Sequence, residues 1–90
     1  MEVTHNEGEK RFELELPGGV AILSYEQGDG IIDLQHTLVP VPERGKGMGA
    51  HLVRYALDHA RENRLRVIPS CWYVRQWIDE NESYADLLAS

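Results

Sequence analysis

The chain has 90 residues, enough for one domain with a modest core and too few for two. Fifteen acidic against nine basic residues give a formal net charge of −6, which disfavours nonspecific nucleic-acid binding because that needs a broad cationic surface. The hydrophobic fraction of 42% is ordinary for a globular protein, and no apolar run approaches the roughly 18 residues that span a bilayer. The amino terminus lacks the apolar core of a signal peptide, and a single cysteine cannot form an internal disulfide. We therefore expect a cytoplasmic protein with no nucleic-acid or membrane partner.

The first half of the sequence predicts three antiparallel strands. Residues 1–10 are polar and are expected to fray, whereas RFELEL at residues 11–16 alternates apolar and charged side chains, as a half-buried strand does. A Pro-Gly-Gly turn leads into the returning strand at residues 20–26. After a second turn, residues 31–39 are apolar enough for a central strand covered on both faces, and two prolines end it.

The second half predicts a helix, a strand and another helix. Residues 49–63 change to helical periodicity, and residues 65–68 form a short β-branched strand that can pair in parallel with residues 31–39 through a right-handed crossover. Residues 73–81 have helical spacing again, and a last helical turn follows at residues 84–88. The apolar stripe of the first helix consists of Leu52, Val53, Ala56, Leu57 and Ala60. One core accounts for all these apolar stripes, so a monomer is expected.

A glycine-rich loop, PVPERGKGMGAHL, lies between the third strand and the first helix. Gly45, Gly47 and Gly49 alternate with other residues and stand beside the cations Arg44 and Lys46. Strand, glycine loop and helix start are the arrangement in which backbone N–H groups and the helix dipole point at one anion. The pattern therefore predicts phosphate binding, and the alternative is a turn that only connects strand to helix.

Two common nucleotide patterns do not fit this loop. The Walker motif requires Lys followed by Ser or Thr, where this chain has Ala50 and His51. The dinucleotide fingerprint requires an acidic residue about 20 positions on, and residues 67–70 are Val-Ile-Pro-Ser. A different phosphate ligand is indicated.

The hexapeptide RGKGMG at residues 44–49 resembles the pyrophosphate-binding signature of the GCN5-related N-acetyltransferases. The resemblance extends over LQHTLVPVPERGKGMGAHLV, ALDHAR and LRVIPSCWYVRQWI, about residues 30–88, and is to short, truncated members of that superfamily. It implies a minimal α/β fold in a single domain over residues 1–90. That fold has a three-stranded antiparallel meander, a crossover helix, a parallel fourth strand splayed at the coenzyme A cleft and a C-terminal helix.

The resemblance also implies an acetyl-CoA site. The pantetheine arm would pair with backbone groups of the strand before the loop, and the loop amides would hold the pyrophosphate. The residues so assigned are Leu38, Val39, Arg44, Gly45, Lys46, Gly47, Met48, Gly49 and Ala50. Relative to a full-length acetyltransferase, the chain lacks the first two helices and the last strands, which usually shape the acceptor pocket. The acceptor is therefore given only as a small amine or a lysine-type side chain.

Three residues are candidates for catalysis: His36, Cys71 and Tyr73. His36 lies on the strand before the loop, and Cys71 starts the last helix, whose dipole favours the thiolate. Because parallel neighbours bring their carboxyl ends together, we expect His36 and Cys71 to meet across the cleft. Matching positions are the proposed active-site pair of the short family members. From the residues alone, a core cysteine and a structural histidine are the more ordinary interpretations, and the resemblance makes the catalytic interpretation about as strong.

Two acyl-transfer routes stay open. In the first, which the family favours, an amine attacks acetyl-CoA directly, with His36 or a water as base and Cys71 or Tyr73 protonating the departing thiolate. In the second, Cys71 takes the acetyl group and passes it on.

The leading hypothesis is therefore an acetyl-CoA-dependent N-acetyltransferase. One rival is a coenzyme A-binding module without catalysis, and another is an interaction domain whose glycine loop stays empty. A metal site is not expected, because one cysteine and scattered histidines lack ligand spacing.

Overall fold

A five-stranded mixed sheet is the centre of the computed structural model, which describes residues 2–89. The strands follow chain order in space, from β1 to β5, and they are antiparallel except for the parallel pair β4 and β5. Their bounds are Thr4–Asn6 (β1), Arg11–Leu16 (β2), Gly19–Gly28 (β3), Ile31–Leu38 (β4) and Arg66–Pro69 (β5). The helices are Met48–Glu62 (α1) and Trp72–Glu80 (α2), with short 3-10 turns at Val41–Glu43 and Glu82–Leu87. The predicted meander, crossover helix, parallel strand and C-terminal helix are confirmed.

One face of the sheet packs on the helices and forms the core. The predicted apolar stripe of α1 is confirmed, since all five of its residues are fully buried. Strands β2 and β3 bury alternate residues against it, as their sequence alternation predicts. Neither α1 nor α2, the two α-helices within residues 2–89, is long and apolar enough to cross a membrane.

The expectation that residues 31–39 are covered on both faces is wrong. Ile32 and Leu34 on β4 are fully buried, but Ile31 is 37% exposed and Ile68 on the neighbouring strand is 38% exposed. These exposed side chains lie on the sheet face opposite the helices, because residues paired across strands share a face and Ile31 pairs with the exposed Arg66. The apolar run of β4 therefore fills one layer only.

The expectation that residues 1–10 fray is also wrong in part, because β1 pairs with β2. His5 stacks on Phe12 with ring centroids 4.5 Å apart, and its Nε2 shares a hydrogen bond with the Tyr25 hydroxyl. These contacts come from two other strands, so nothing within the polar N-terminal sequence signals them. Met1, which the same expectation included, lies outside the described residues.

The His5 cluster predicts that stability falls in mild acid. Burial lowers the pKa of His5 below its ordinary value of 6.5, as does His59, whose ring centroid lies 4.7 Å away, while Glu7 acts in the opposite direction. When the pKa of a histidine is lower in the folded state than in the unfolded state, protonation favours unfolding. Its contribution to the free energy of unfolding is therefore fully present above pH 6.5 and is lost as the pH falls through the folded-state pKa. We expect the free energy of unfolding, measured by urea titration between about pH 8 and pH 5, to decrease through this range.

The matched variants separate His5 from the other histidines. His5→Gln should make the free energy of unfolding less dependent on pH below pH 6.5. His51→Gln, at an exposed position on α1, should leave this pH dependence unchanged. An equal slope in the wild-type protein and in His5→Gln would show that the cluster does not govern acid stability.

Candidate functional site

A cleft opens where the two parallel strands separate. The β4–β5 ladder ends at the pair Leu34 and Pro69, and the Cys71 N–H then donates to the Leu34 carbonyl at 2.9 Å. Beyond this bond, the chain turns into α2 while β4 continues to Leu38. The cleft holds a cavity of about 470 Å³. Its lining residues are Thr37, Leu38, Val39, Glu43, Arg44, Gly45, Gly47, Met48, Gly49, Cys71, Trp72 and Tyr73.

A β-bulge in β4 decides which side chains enter this cleft. Leu34 pairs with Tyr25 on β3, and both are buried in the core. His36 pairs with Ser24, the neighbour of Tyr25, so Gln35 is the extra residue of the bulge. Because residues paired across strands share a face, the bulge turns His36 to the face opposite Leu34. Without it, residues two apart in the strand would share one face.

The bulge places Thr37 where the sequence predicted His36. The Thr37 hydroxyl oxygen lies 3.5 Å from the Cys71 sulfur, within hydrogen-bond range for that atom pair. His36 is exposed and is not among the residues that line the cavity. The expected contact between His36 and Cys71 is therefore absent from the described residues, and a catalytic role of His36 stays a prediction. Sequence reasoning missed Thr37, because only the bulge reveals which way it points.

Cys71 lies at the N-cap position of α2 and is 8% exposed. Burial alone would raise the pKa of its thiol, but the Thr37 hydroxyl and the N–H groups of Val74, Tyr73 and Thr37 favour the thiolate. The net direction of the pKa is downward. The cavity therefore contains a thiol with increased thiolate character, as the sequence predicted from the helix start.

Tyr73 also lines the cavity, and its pKa is raised, whereas that of Cys71 is lowered. Burial raises the pKa of its phenol, and the nearby Glu80 and Cys71 raise it further. Its ring packs on the first turn of α1, where a Cβ built at Gly49 would lie 3.2 Å from the ring. The absence of a side chain at Gly49 therefore leaves room for the Tyr73 ring. The Tyr73 phenol is protonated at neutral pH.

The glycine loop forms the other end of the cavity. Gly47 is the N-cap of α1 with φ 81°, and Gly45 has the same positive φ. No side chain of the described residues caps this helix, and its first turn contains no acidic residue. In a chain of net charge −6, this leaves an uncapped helix start with its N–H groups at the cavity.

The charged residues of the loop interact with the protein itself. Arg44 Nε donates to the Val39 carbonyl at 2.9 Å, and Lys46 Nζ lies 3.4 Å from a carboxylate oxygen of Glu43. Glu43 is 7% exposed, and its other oxygen accepts the Gly18 N–H at 2.8 Å. Sequence reasoning missed Glu43, which ties the loop to the turn between β2 and β3. The Val39 carbonyl, at which the pantetheine arm is expected to pair, therefore already accepts one hydrogen bond.

The remaining predicted residues divide into two groups. Leu38, which is 54% exposed, and Met48 line the cavity, whereas Lys46 and Ala50 do not, and cofactor contacts of all four stay predictions. Within residues 2–89, no cluster of three histidine, cysteine, aspartate or glutamate side chains could hold a metal ion.

Comparisons with known proteins agree with this geometry. Residues 11–87 match the family described as GCN5-related N-acetyl-transferase. Protein NATD1 of Bos taurus is 40% identical over 84 residues, which cover 90% of this chain and 74% of that protein. Protein NATD1 of Homo sapiens is 39% identical over 84 residues with the same coverage of both chains. The chain is also similar to a GCN5-like protein from Staphylococcus aureus whose structure was solved by NMR and which is described as an N-acetyltransferase by assignment. The match covers 99% of this chain and 88% of the Staphylococcus aureus chain. The two folds agree with a TM-score of 0.72 at 26% sequence identity.

Proposed function

The chain belongs to the GCN5-related N-acetyltransferase family, and on this premise we propose that it binds acetyl-CoA and transfers the acetyl group to a primary amine. One observation carries the proposal. A single cavity joins the uncapped start of α1, at Gly47, to the side chains of Cys71 and Tyr73 between the splayed strands. An anion site at one end and titratable groups at the other fit a phosphorylated cofactor with a reactive tail.

Cofactor binding would use mostly backbone groups. The N–H groups from Gly45 to Ala50 would hold the pyrophosphate, and Arg44 or Lys46 would add charge after leaving its present partner. The pantetheine arm would run along β4 at Leu38 and Val39, where β5 no longer provides a neighbouring strand. The thioester would then lie beside Cys71 and Tyr73.

In direct transfer, the neutral amine attacks the acetyl carbonyl, a C–N bond forms and the thioester C–S bond breaks. The electron pair of that bond goes to the coenzyme A sulfur, and the surplus proton of the amine goes to water. Tyr73 is suited to protonate the departing sulfur, because its phenol, whose ordinary pKa of 10.0 is raised further by burial, is protonated at neutral pH and would regain its proton from water. Cys71 is the alternative donor, or the nucleophile of a covalent route. A cytoplasmic monomer acting on a small amine or a lysine side chain completes the proposal.

One observation favours a second candidate, a coenzyme A-binding module without catalysis. His36, the expected base, is not among the cavity-lining residues, and the lining carboxylate, Glu43, already accepts the Gly18 N–H. An amine would then have to lose its proton to water. Tight binding of acetyl-CoA without acetyl transfer to spermidine or to an Nα-blocked lysine would favour this candidate.

The first test is a titration of acetyl-CoA followed by amide NMR shifts. We expect shifts at Leu38 and Val39, from Gly45 to Ala50, and at Cys71 and Tyr73. ADP, which carries a pyrophosphate without pantetheine, is the matched control and should shift the glycine loop alone. No shifts at millimolar acetyl-CoA would refute both the enzyme and the binding module, and would leave the loop a connector.

A further inference from the structure

Thr37 occupies a position on β4 that the proposed chemistry does not yet explain. It pairs with Leu23, which is fully buried, so Thr37 faces the helix side of the sheet. There it lines the cavity, and its hydroxyl lies 3.5 Å from the Cys71 sulfur. A polar side chain directed at the single thiol of the chain requires an explanation.

We propose that Thr37 is the positioning residue of Cys71, holding its sulfur at the end of the cavity by a hydroxyl hydrogen bond. The inference deepens the proposed function. It rests on that function only in assigning the Cys71 thiol a part in acetyl transfer. The bond itself is a property of the free protein.

The local geometry supports this role in three ways. Threonine is β-branched, so its χ1 angle is restricted and its hydroxyl is held in place at low entropic cost. The bulge at Gln35 turns Thr37 inward and His36 outward, which places the Thr37 hydroxyl at the sulfur together with the backbone N–H of Thr37. The amides that start α2 lie on the other side of Cys71, so the sulfur lies between strand and helix.

The remaining ionisable groups that line the cavity are few. They are Tyr73 from α2, and Glu43 and Arg44 from the loop before α1. Glu43 and Arg44 form hydrogen bonds to backbone groups of Gly18 and Val39. Tyr73 is protonated at neutral pH, because burial raises its pKa further above the ordinary value of 10.0. Thr37 therefore remains the side chain whose removal should act on the thiol most directly.

The experiment measures the alkylation rate of Cys71 by iodoacetamide between about pH 5 and pH 10, by intact mass and without acetyl-CoA. The chain has one cysteine, so every adduct reports this thiol. Loss of one hydrogen bond should move the apparent pKa of the Thr37→Val thiol upward and lower the rate at pH 7 by roughly three- to tenfold. Thr37→Ser, which keeps the hydroxyl, should retain the wild-type profile. Thr4→Val, at the only other threonine, on the edge strand β1, is the matched control and should also retain it.

Three outcomes would overturn the proposal. The first is an unchanged pH profile in folded Thr37→Val, with Thr37→Ala as the substitute if the valine variant does not fold by circular dichroism. The second is a rate that falls equally at all pH values, which would indicate changed access and not a changed thiol. The third is a shift in His36→Asn but not in Thr37→Val, which would restore the pairing expected from sequence. Because no cofactor is present, none of these results depends on acetyl-CoA binding.

Discussion

Replacing Gly47 with alanine is expected to weaken acetyl-CoA binding by about ten- to a hundredfold, through steric conflict with the bound pyrophosphate. Gly47 has φ 81°, and a Cβ built there meets no protein atom within 4 Å. The protein itself therefore has space for the methyl group, which would occupy open space beside the glycine loop, where the pyrophosphate is proposed to bind. The backbone conformation should cost about 1–2 kcal/mol of stability in addition. Calorimetric titration of acetyl-CoA measures the first effect, and urea unfolding measures the second.

Gly30→Ala is the matched control for this experiment. Gly30 lies in the turn between β3 and β4 with φ 70°, and a Cβ there also meets nothing within 4 Å. The two variants should therefore lose similar stability, while only Gly47→Ala loses affinity. Equal affinities in both variants would place the pyrophosphate elsewhere and would remove the main support for the proposed cofactor site.

Periodic patterns explain why most of the fold could be predicted. Helix α1 buries Leu52, Val53 and Ala56 at helical spacing, and strand β2 buries Phe12 and Leu14 at alternate positions. Each pattern is local, and its period alone identifies the element and its buried face. The glycine loop was predictable from local sequence too, since glycine permits the positive φ that Gly45 and Gly47 adopt.

The side chains that face Cys71 could not be predicted, because a bulge has no reliable local sequence pattern. The run Leu34-Gln35-His36-Thr37 gives no sign that Gln35 is the extra residue, and the register against β3 decides it. A one-residue shift exchanges His36 for Thr37 at the cavity. The family resemblance correctly predicted the fold with its splayed strands, and Cys71 lines the cleft there, but the resemblance did not predict which strand residue contacts that cysteine.

Long-range contacts account for the other omissions. Strand β1 is ordered by His5 packing against Phe12 and Tyr25, which are 7 and 20 residues away. Glu43 reads as an ordinary charged loop residue until the fold brings Gly18 within 2.8 Å of its carboxylate. Neither contact follows from the sequence near either partner.

Tyr73→Phe is expected to reduce the rate constant of acetyl transfer about a hundredfold, the contribution typical of a general acid, and to leave acetyl-CoA affinity nearly unchanged. The pKa of Tyr73 is raised above its ordinary 10.0, so the wild-type rate should not fall as the pH rises from 7 to 9. The pKa of Cys71 is lowered below its ordinary 9.0, so with an essential Cys71 acid the rate, after division by the fraction of neutral amine, would fall within that range. Release of coenzyme A thiol in the presence of spermidine, measured across this range, distinguishes the two donors.

Tyr55→Phe is the matched control, because Tyr55 lies on α1, 40% exposed, against Phe12 and away from the cavity. Tyr55→Phe should keep the wild-type rate of acetyl transfer.

If Cys71→Ala loses activity while Tyr73→Phe retains it, the tyrosine is not the acid. Mass spectrometry of the wild-type protein with acetyl-CoA and no amine then decides between the two roles of the thiol. An acetyl group on Cys71 that passes to spermidine when the amine is added would support the covalent route, whereas its absence would favour Cys71 as the acid of direct transfer.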